Sequence, residues 1–315
     1  MLEQQTVILQ ANAMSLDNSA LSTFFQCQLK HYLRYQRHLA SPDARPARDI
    51  GTLVHSFWSD HLHNADTQPG IAAALEALAS MPDSKWRNST DYAACYLAAI
   101  NALSRAYEVA PQGVIFCNGA PRWQLRYSEV GFSMPLQAMP AARSDESTES
   151  DVSRAKRVFT GRVDAIVEDG NQQLWLLELK TSGSASQSNW RDMKSLATQT
   201  IGYCYAATQQ FAKPIAGAII IPVATSKNSA KLTPEIIIRY TDDDLMQWHN
   251  DTLAAFDMIQ SCAEHSAWLP TGRYNSTCAG IDFGKCDYFD YCRSGYNEDV
   301  LTQLTVVNQW SPLVG

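Results

Sequence analysis

No stretch of this sequence approaches the roughly 18 uninterrupted apolar residues that a membrane-crossing helix needs. Its opening, residues 1–15, lacks the basic start and small-residue cleavage site of a secretory signal. The expectation is a cytoplasmic, intracellular chain with no membrane partner. A G-x-x-x-x-G-K-[ST] loop is missing, so no P-loop ATPase lies within these residues. A helicase motor, if one is used, is a separate chain. Neither a G-x-S-x-G elbow nor an H-E-x-x-H pair occurs, which removes two common hydrolase classes. There is no internal repeat. Positive charge is scarce too, with a net charge of −7. That counts only weakly against a nucleic-acid partner, because the field at the site decides steering. Residues 27–48 hold Lys30, Arg34, Arg37, Arg45 and Arg48 against Asp43 alone. Such a local excess can track phosphates or simply solvate a helix face.

What the chain does contain is the composition of a globular protein, in 315 residues, enough for one large domain or two. Asp17-Asn18-Ser19 is an N-cap cluster, and Leu21, Phe24, Phe25, Leu29, Tyr32 and Leu33 follow at helical spacing. One amphipathic helix to about His38 is predicted. A second begins near Ile50 and carries Gly51 and His55. The Ala- and Leu-rich segment from Gly70 to Ala110 reads as further helices, so residues 59–120 are read as a helical insertion. Strand character starts near Pro121, and residues 141–157 read as a polar loop. A hairpin over Thr160–Lys180 follows, turning at Asp169-Gly170-Asn171. Helices over 189–210 and 242–264, the latter capped by Thr241 or Asp242, flank strands at 216–223 and 234–240.

The hairpin carries the chemistry. Asp164 lies on its first strand, and Glu178 and Lys180 end the second. Two apart on a strand, Glu178 and Lys180 share a face. Asp164 and Glu178 could bind Mg²⁺ with the carbonyl of Leu179, leaving phosphate and water to complete the shell. Lys180 could orient water or offset charge in the transition state. A surface salt-bridge ladder would use the same residues. The apolar run Leu174–Leu177 directly before them argues instead for a buried strand ending in a site. Gln199 and Tyr203, at i and i+4, share one face of the next helix. His55 is either a satisfied core histidine or a ligand.

In chain order, Gly51-x-x-x-His55, Gly161-Arg-Val-Asp164, Glu178-Leu-Lys180 and Gln199-x-x-x-Tyr203 resemble the RecB-type branch of the PD-(D/E)XK nuclease superfamily. The resemblance runs from Ser19 to Cys292. It implies an α/β (α+β) restriction-endonuclease-like core, a mixed central sheet flanked by helices, with residues 1–315 forming one nuclease domain. It also implies Mg²⁺- or Mn²⁺-dependent hydrolysis of DNA, with His55, Asp164 and Glu178 as metal ligands and Lys180 catalytic. Gln199 and Tyr203 would hold the DNA or the site. Glu129 falls where some members carry an upstream acidic residue.

Eight cysteines complete the reading. Cys95, Cys117 and Cys204 sit in apolar surroundings, as small buried residues do. Cys278-x7-Cys286-x5-Cys292 lies in a turn-rich tail, where clustered thiols suggest metal ligation with a fourth ligand from elsewhere. Cys27 is the candidate. Its setting, Ser19 to Tyr32, is similar to the start of the iron–sulfur subgroup of these nucleases, which includes AddB-type recombination and CRISPR-adaptation nucleases. By that resemblance Cys27, Cys278, Cys286 and Cys292 hold a [4Fe–4S] cluster, and residues 265–300 pack with the helix around Cys27. The subgroup usually has two residues between the first pair of the trio, not seven, which puts Cys278 in question and makes Cys262 a substitute. A zinc site and unligated thiols stay open. The expected function is an exonuclease on DNA ends or single strands in recombination, repair or phage DNA processing, working with a separate helicase, annealing or recombination protein. A spacer-trimming CRISPR nuclease and a non-catalytic DNA-binding subunit are the alternatives.

Overall fold

The computed structural model describes residues 13–42, 46–63, 90–137, 156–226, 229–279 and 285–309. Most of the segment read as helices between 64 and 89, and the polar loop at 141–155, lie outside them. The chain divides into two compact units: Met1–Asp43, Phe132–Gly161 and Met246–Gly315, and then Ala44–Gly131 with Arg162–Leu245.

In chain order the described elements are β1 (Ala13–Leu16), α1 (Asn18–Gln26), α2 (Gln28–His31), β2 (Leu39–Ala40), α3 (Pro46–His63) and α4 (Thr90–Ala106). Then come β3 (Tyr107–Val109), β4 (Val114–Cys117), β5 (Ala120–Leu136), β6 (Lys156–Glu168) and β7 (Leu174–Ser182). α5 (Ser188–Ser195), α6 (Thr198–Phe211), β8 (Ile215–Ser226), β9 (Ser229–Leu232), β10 (Ile236–Arg239) and α7 (Asp242–Glu264) follow, and α8 (Phe289–Arg293), α9 (Glu298–Leu304) and β11 (Val306–Val307) end the series. The main sheet runs β10-β8-β7-β6-β5-β4-β3, with β9 beside β8 and β1 beside β6. It is mixed: β7 and β8 are parallel, and β6 and β7 antiparallel. β2 and β11 make a separate two-stranded ladder.

β7 is buried at every position from Leu174 to Leu179, the pattern of a strand covered on both faces. In the second unit α3 supplies one cover. Ile50, Val54, Trp58 and Leu62 recur at helical spacing and pack with Ile100 and Leu103 of α4 against Leu177, Leu179 and Ile219. In the first unit α1 buries Ala20, Leu21 and Phe24, and Leu33 joins Tyr288, Tyr291 and Leu301 of the tail in a small core.

The structure departs from the pattern reading in three places. The predicted helix from Asp17 to His38 breaks at Cys27, which is extended (φ −161°, ψ 112°), and ends in a π-helical turn over Tyr32–Gln36. Distant chain causes the break. Leu29 N–H donates to Leu269 O at 3.0 Å and Gln28 N–H to Thr271 Oγ1 at 3.2 Å, so the free donors of a new helix start are satisfied. Second, residues 107–120 are not helical as the 59–120 reading had them. Helix ends at Ala106, and alternating Tyr107, Glu108 and Val109 begin a strand, with Gly113 at φ 79° in the turn to β4. Third, helix 189–210 is two helices, α5 and α6, interrupted at Leu196-Ala197. The Ser195 hydroxyl donates to Asp192 O there, competing with the helical bonding. The hairpin turns at Asp169-Gly170-Asn171 as read, with Gln172 at positive φ (62°). Asp169 Oδ1 fixes the turn by accepting from the amides of Asn171 and Gln173. The start of α7 falls as read. Thr241 Oγ1 accepts from Asp244 N–H, and Asp244 Oδ2 accepts from Thr241 N–H, a reciprocal cap.

Candidate active site

The site is built in the second unit from the end of the hairpin outward. The antiparallel register sets Ala165 opposite Leu177, so Asp164 and Glu178 come side by side one step further on. Asp164 Oδ2 accepts the Leu179 N–H at 2.8 Å. On the face that alternation dictates, Lys180 Nζ lies 2.6 Å from Glu178 Oε1. Gln199 of α6 reaches the same oxygen at 3.5 Å and donates to the Tyr203 hydroxyl at 3.2 Å. His55 of α3 brings Nδ1 to 3.3 Å from Asp164 Oδ1. His55, Asp164, Glu178, Lys180, Gln199 and Tyr203 thus meet in one network. Leu179 contributes its amide, and its side chain is core.

Gly51 explains how α3 comes so close. A Cβ there would stand 2.9 Å from Thr181 Oγ1, the residue after Lys180. Gly51→Leu is expected to push the helix off the strand end, lower stability by about 1–3 kcal/mol, and reduce any activity that depends on His55. Thermal unfolding checks this. A parental melting temperature would show that the close approach is not needed.

Thr200 and Tyr240, not singled out in the sequence, also shape the site, as does Glu129, which the resemblance marks as an upstream acidic position. Thr200 Oγ1 and the Tyr240 hydroxyl are 2.7 Å apart and fix α6 one residue beyond Gln199. Glu129 adopts φ 50° within β5 and pairs with Arg162 Nε at 3.0 Å. Burial, then the field of Asp164, raises its carboxyl above the usual range. A left-handed glutamate within a strand has no sequence signature, since glycine is the usual occupant of that backbone region.

The charges are unequal by design of the burial. Removal from water, followed by the charge of Asp164, pushes Glu178 up to about 7 against the pull of Lys180. Burial also opposes the charge on Asp164, but the hydrogen bond and charge of His55, with Lys180, outweigh it and hold its carboxyl low. His55 is held above its ordinary value because Asp164 outweighs its own burial. A raised carboxyl means the folded state binds more protons than the unfolded one between about pH 4.5 and 7. Stability therefore falls as pH rises through that window and stays lower above it. Glu178→Gln is expected to stabilise the metal-free protein at pH 8 by about 1–3 kcal/mol and to change little near pH 4. Melting curves at the two pH values measure it.

Glu178 Oε2 is buried with no hydrogen-bond partner. An acceptor this costly to leave open suits a cation. Among the described residues no three His, Cys, Asp or Glu converge on one ion-sized point. Mg²⁺ needs only one or two carboxylates when phosphate and water fill the remaining positions, so Asp164 and Glu178 fit it.

In the first unit Cys27, Cys278, Cys286 and Cys292 line one pocket with Gln26, Lys30 and Tyr288. All four are free thiols. Cys286 N–H donates to Cys278 O at 3.1 Å, and a Cβ on Gly272 would lie 3.0 Å from Cys278 Sγ. The long spacing after Cys278 therefore does not remove it from the group. Cys262, the proposed substitute, directs its thiol to Gln28 Oε1 at 3.8 Å. Burial raises the Cys278 and Cys286 thiols and pushes Cys292 up to about 11.

Paired carboxylates and an ammonium thus lie at the end of a buried strand in a mixed sheet flanked by helices. The chain belongs to the PD-(D/E)XK nuclease superfamily, whose family model matches residues 16–293. No curated protein matches it.

Proposed function

We propose that this chain is a Mg²⁺- or Mn²⁺-dependent deoxyribonuclease of the RecB-type branch, an exonuclease at DNA ends or in single strands. The observation that carries the reading is the pair of buried Glu178 and half-buried Lys180 beside Asp164, with one Glu178 oxygen left open. Asp164 and Glu178 would hold the cation together with phosphate and water, and His55 and the Leu179 carbonyl are the further ligands that the family resemblance implies. When bound, the cation polarises the scissile phosphate and lowers the pKa of an attacking water. Lys180 keeps a positive charge where negative charge grows on the phosphate oxygens. Its burial opposes that charge, but Glu178 and Asp164 outweigh it and hold the ammonium protonated. Gln199 and Tyr203 restrain the Glu178 carboxylate and the strand passing it.

The four cysteines around one pocket support a structural [4Fe–4S] cluster that ties Cys27 to the tail. Zinc asks four ligands to converge on one ion, whereas a cluster spreads its thiolates over separate irons. Cys27, Cys278, Cys286 and Cys292 lining one pocket supply the four thiols that a cluster needs. Recombination, repair or phage DNA processing is the setting proposed, as one nuclease domain served by a separate helicase or annealing protein.

Digestion of labelled linear, closed circular and single-stranded DNA tests the reading. Linear and single-stranded DNA should be degraded with Mg²⁺ or Mn²⁺ and protected by EDTA, and closed circles should survive. Cleavage of circles at the linear rate would refute the exonuclease mode. Binding without metal-dependent cleavage of any substrate would favour a DNA-binding subunit.

A further inference from the structure

We propose that Arg162 is a substrate contact of the nuclease site, gripping the DNA phosphate next to the one that is cut, and that Glu129 positions it there. The proposal rests on the nuclease reading and deepens it by one further residue on the substrate.

The two strands of the hairpin part at the site. Their ladder runs from Glu168–Leu174 to Ala165–Leu177. Beyond it the Leu179 N–H is taken by the Asp164 carboxylate instead of a β6 carbonyl. Each strand end then carries the same order of charges. On β7 the carboxylate of Glu178 comes first, and the ammonium of Lys180 stands two residues further out. On β6, which runs the opposite way, Asp164 comes first and Arg162 stands two residues further out. Side chains two apart on a strand share a face, so Arg162 accompanies Asp164 as Lys180 accompanies Glu178. One pleat, roughly 7 Å, separates the members of each pair along the strand. The difference is depth. The Lys180 side chain is 19% exposed and that of Arg162 57% exposed. Lys180 therefore serves the inner, reacting phosphate, and Arg162 faces the solvent side, where the row of phosphates continues.

Arg162 is also held. Its Nε lies 3.0 Å from Glu129 Oε2. Glu129 reaches it from β5 in a left-handed conformation, φ 50°, a backbone region that residues other than glycine seldom adopt. Such strain costs more than an exposed ion pair returns in stability, so the pair is not there to hold the fold. After burial, the charges that act most on the Glu129 carboxyl are those of Arg162, Asp164 and His55. The pair therefore belongs to the site and is not a separate surface contact. Glu129 meets the guanidinium at Nε, which leaves its terminal amino groups to fork a phosphate. An arginine tethered at one edge has already lost part of the freedom that binding would cost it.

Steady-state cleavage of dye-labelled linear duplex by the full chain in Mn²⁺ tests this. Arg162→Gln should raise KM about tenfold, the effect of one charge-assisted contact, and leave kcat within about twofold. The slope of log kcat/KM against log salt should fall by about one phosphate contact, and the melting temperature should stay parental. Arg162→Lys keeps the charge and should recover part of the loss. Glu129→Gln removes a negative charge from the site, so simple repulsion predicts a lower KM. Positioning predicts a higher one, and no further rise when Arg162→Gln is already present. A parental KM and salt slope in Arg162→Gln overturns the contact, and so does a loss confined to kcat. A lowered melting temperature with the same kinetic loss would make the pair structural. A lower KM in Glu129→Gln overturns its positioning role. If the parent cleaves DNA with metal and Arg162→Gln matches it, the contact alone falls; a parent that cleaves nothing removes the nuclease reading with it.

Discussion

Lys180→Ala is expected to cut the rate of DNA cleavage by about 10²–10³-fold, the effect of removing one preorganised charge donor, while the chain still folds. Two effects of the substitution act together. The ammonium is lost from a site where burial makes its charge count for more than it would in water. Glu178 also loses its 2.6 Å partner. With Asp164 beside it and burial already pushing it up, its carboxyl moves further into its neutral form. A neutral Glu178 is a poor cation ligand, so the metal concentration for half-maximal rate should rise along with the fall in maximal rate. The fold survives because protonation removes the isolated charge that would otherwise be buried. Lys180 also sits at the last, half-buried turns of β7 rather than in its core. Initial rates across a Mn²⁺ series, with melting temperatures, give the answer. A variant with parental rate would remove Lys180 from the chemistry. One that is inactive only because it has unfolded would make the residue structural.

Much of this site could be read in the residues because it depends on local geometry. Alternation places Glu178 and Lys180 on one face, and a hairpin fixed by Asp169 returns β7 beside Asp164. Four residues along a helix bring Gln199 and Tyr203 together. The sequence does not show contacts made by chain far away. Nothing near Cys27 announces a break, since the donors that make it possible are answered by Leu269 and Thr271. Phe25 sits in an apolar run next to buried Phe24, yet it lies on the exposed side of α1. Tyr107 to Cys117 follow an alanine-rich helix whose composition masks a strand start. Pairing with β5 decides that region, and pairing is non-local. Glu129 and Gln172 hold left-handed conformations that other residues usually leave to glycine.

Cys27→Ser is expected to remove the visible colour of the purified protein and to lower its melting temperature by on the order of 10 °C. The size follows from what the residue joins. Cys27 lies at the extended break between α1 and α2, next to Gln28 and Leu29, whose amides are held by the tail. Without a shared group in the pocket, the tail stays attached through the small core of Leu33, Tyr288, Tyr291 and Leu301, the bonds of Leu269, Thr271 and Asn275 to residues 26–29, the β2–β11 ladder, the Arg37–Glu298 pair and the bond from the Tyr288 hydroxyl to Leu39 O. Exposed ion pairs such as Arg37–Glu298 contribute little, and two-residue ladders are short. A bound group ligated from both chain ends adds its binding free energy to folding, because the unfolded chain has no site for it. Cys262→Ser serves as the comparison. Its thiol points to Gln28, so that variant should keep both colour and iron. Iron and sulfide content, the visible spectrum and melting curves of the three proteins, prepared without oxygen, give the result. A Cys27→Ser protein that stays coloured would exclude Cys27 as a ligand. Loss of colour in Cys262→Ser instead would make Cys262 the fourth ligand, and a colourless parent containing one zinc would replace the cluster with a single ion.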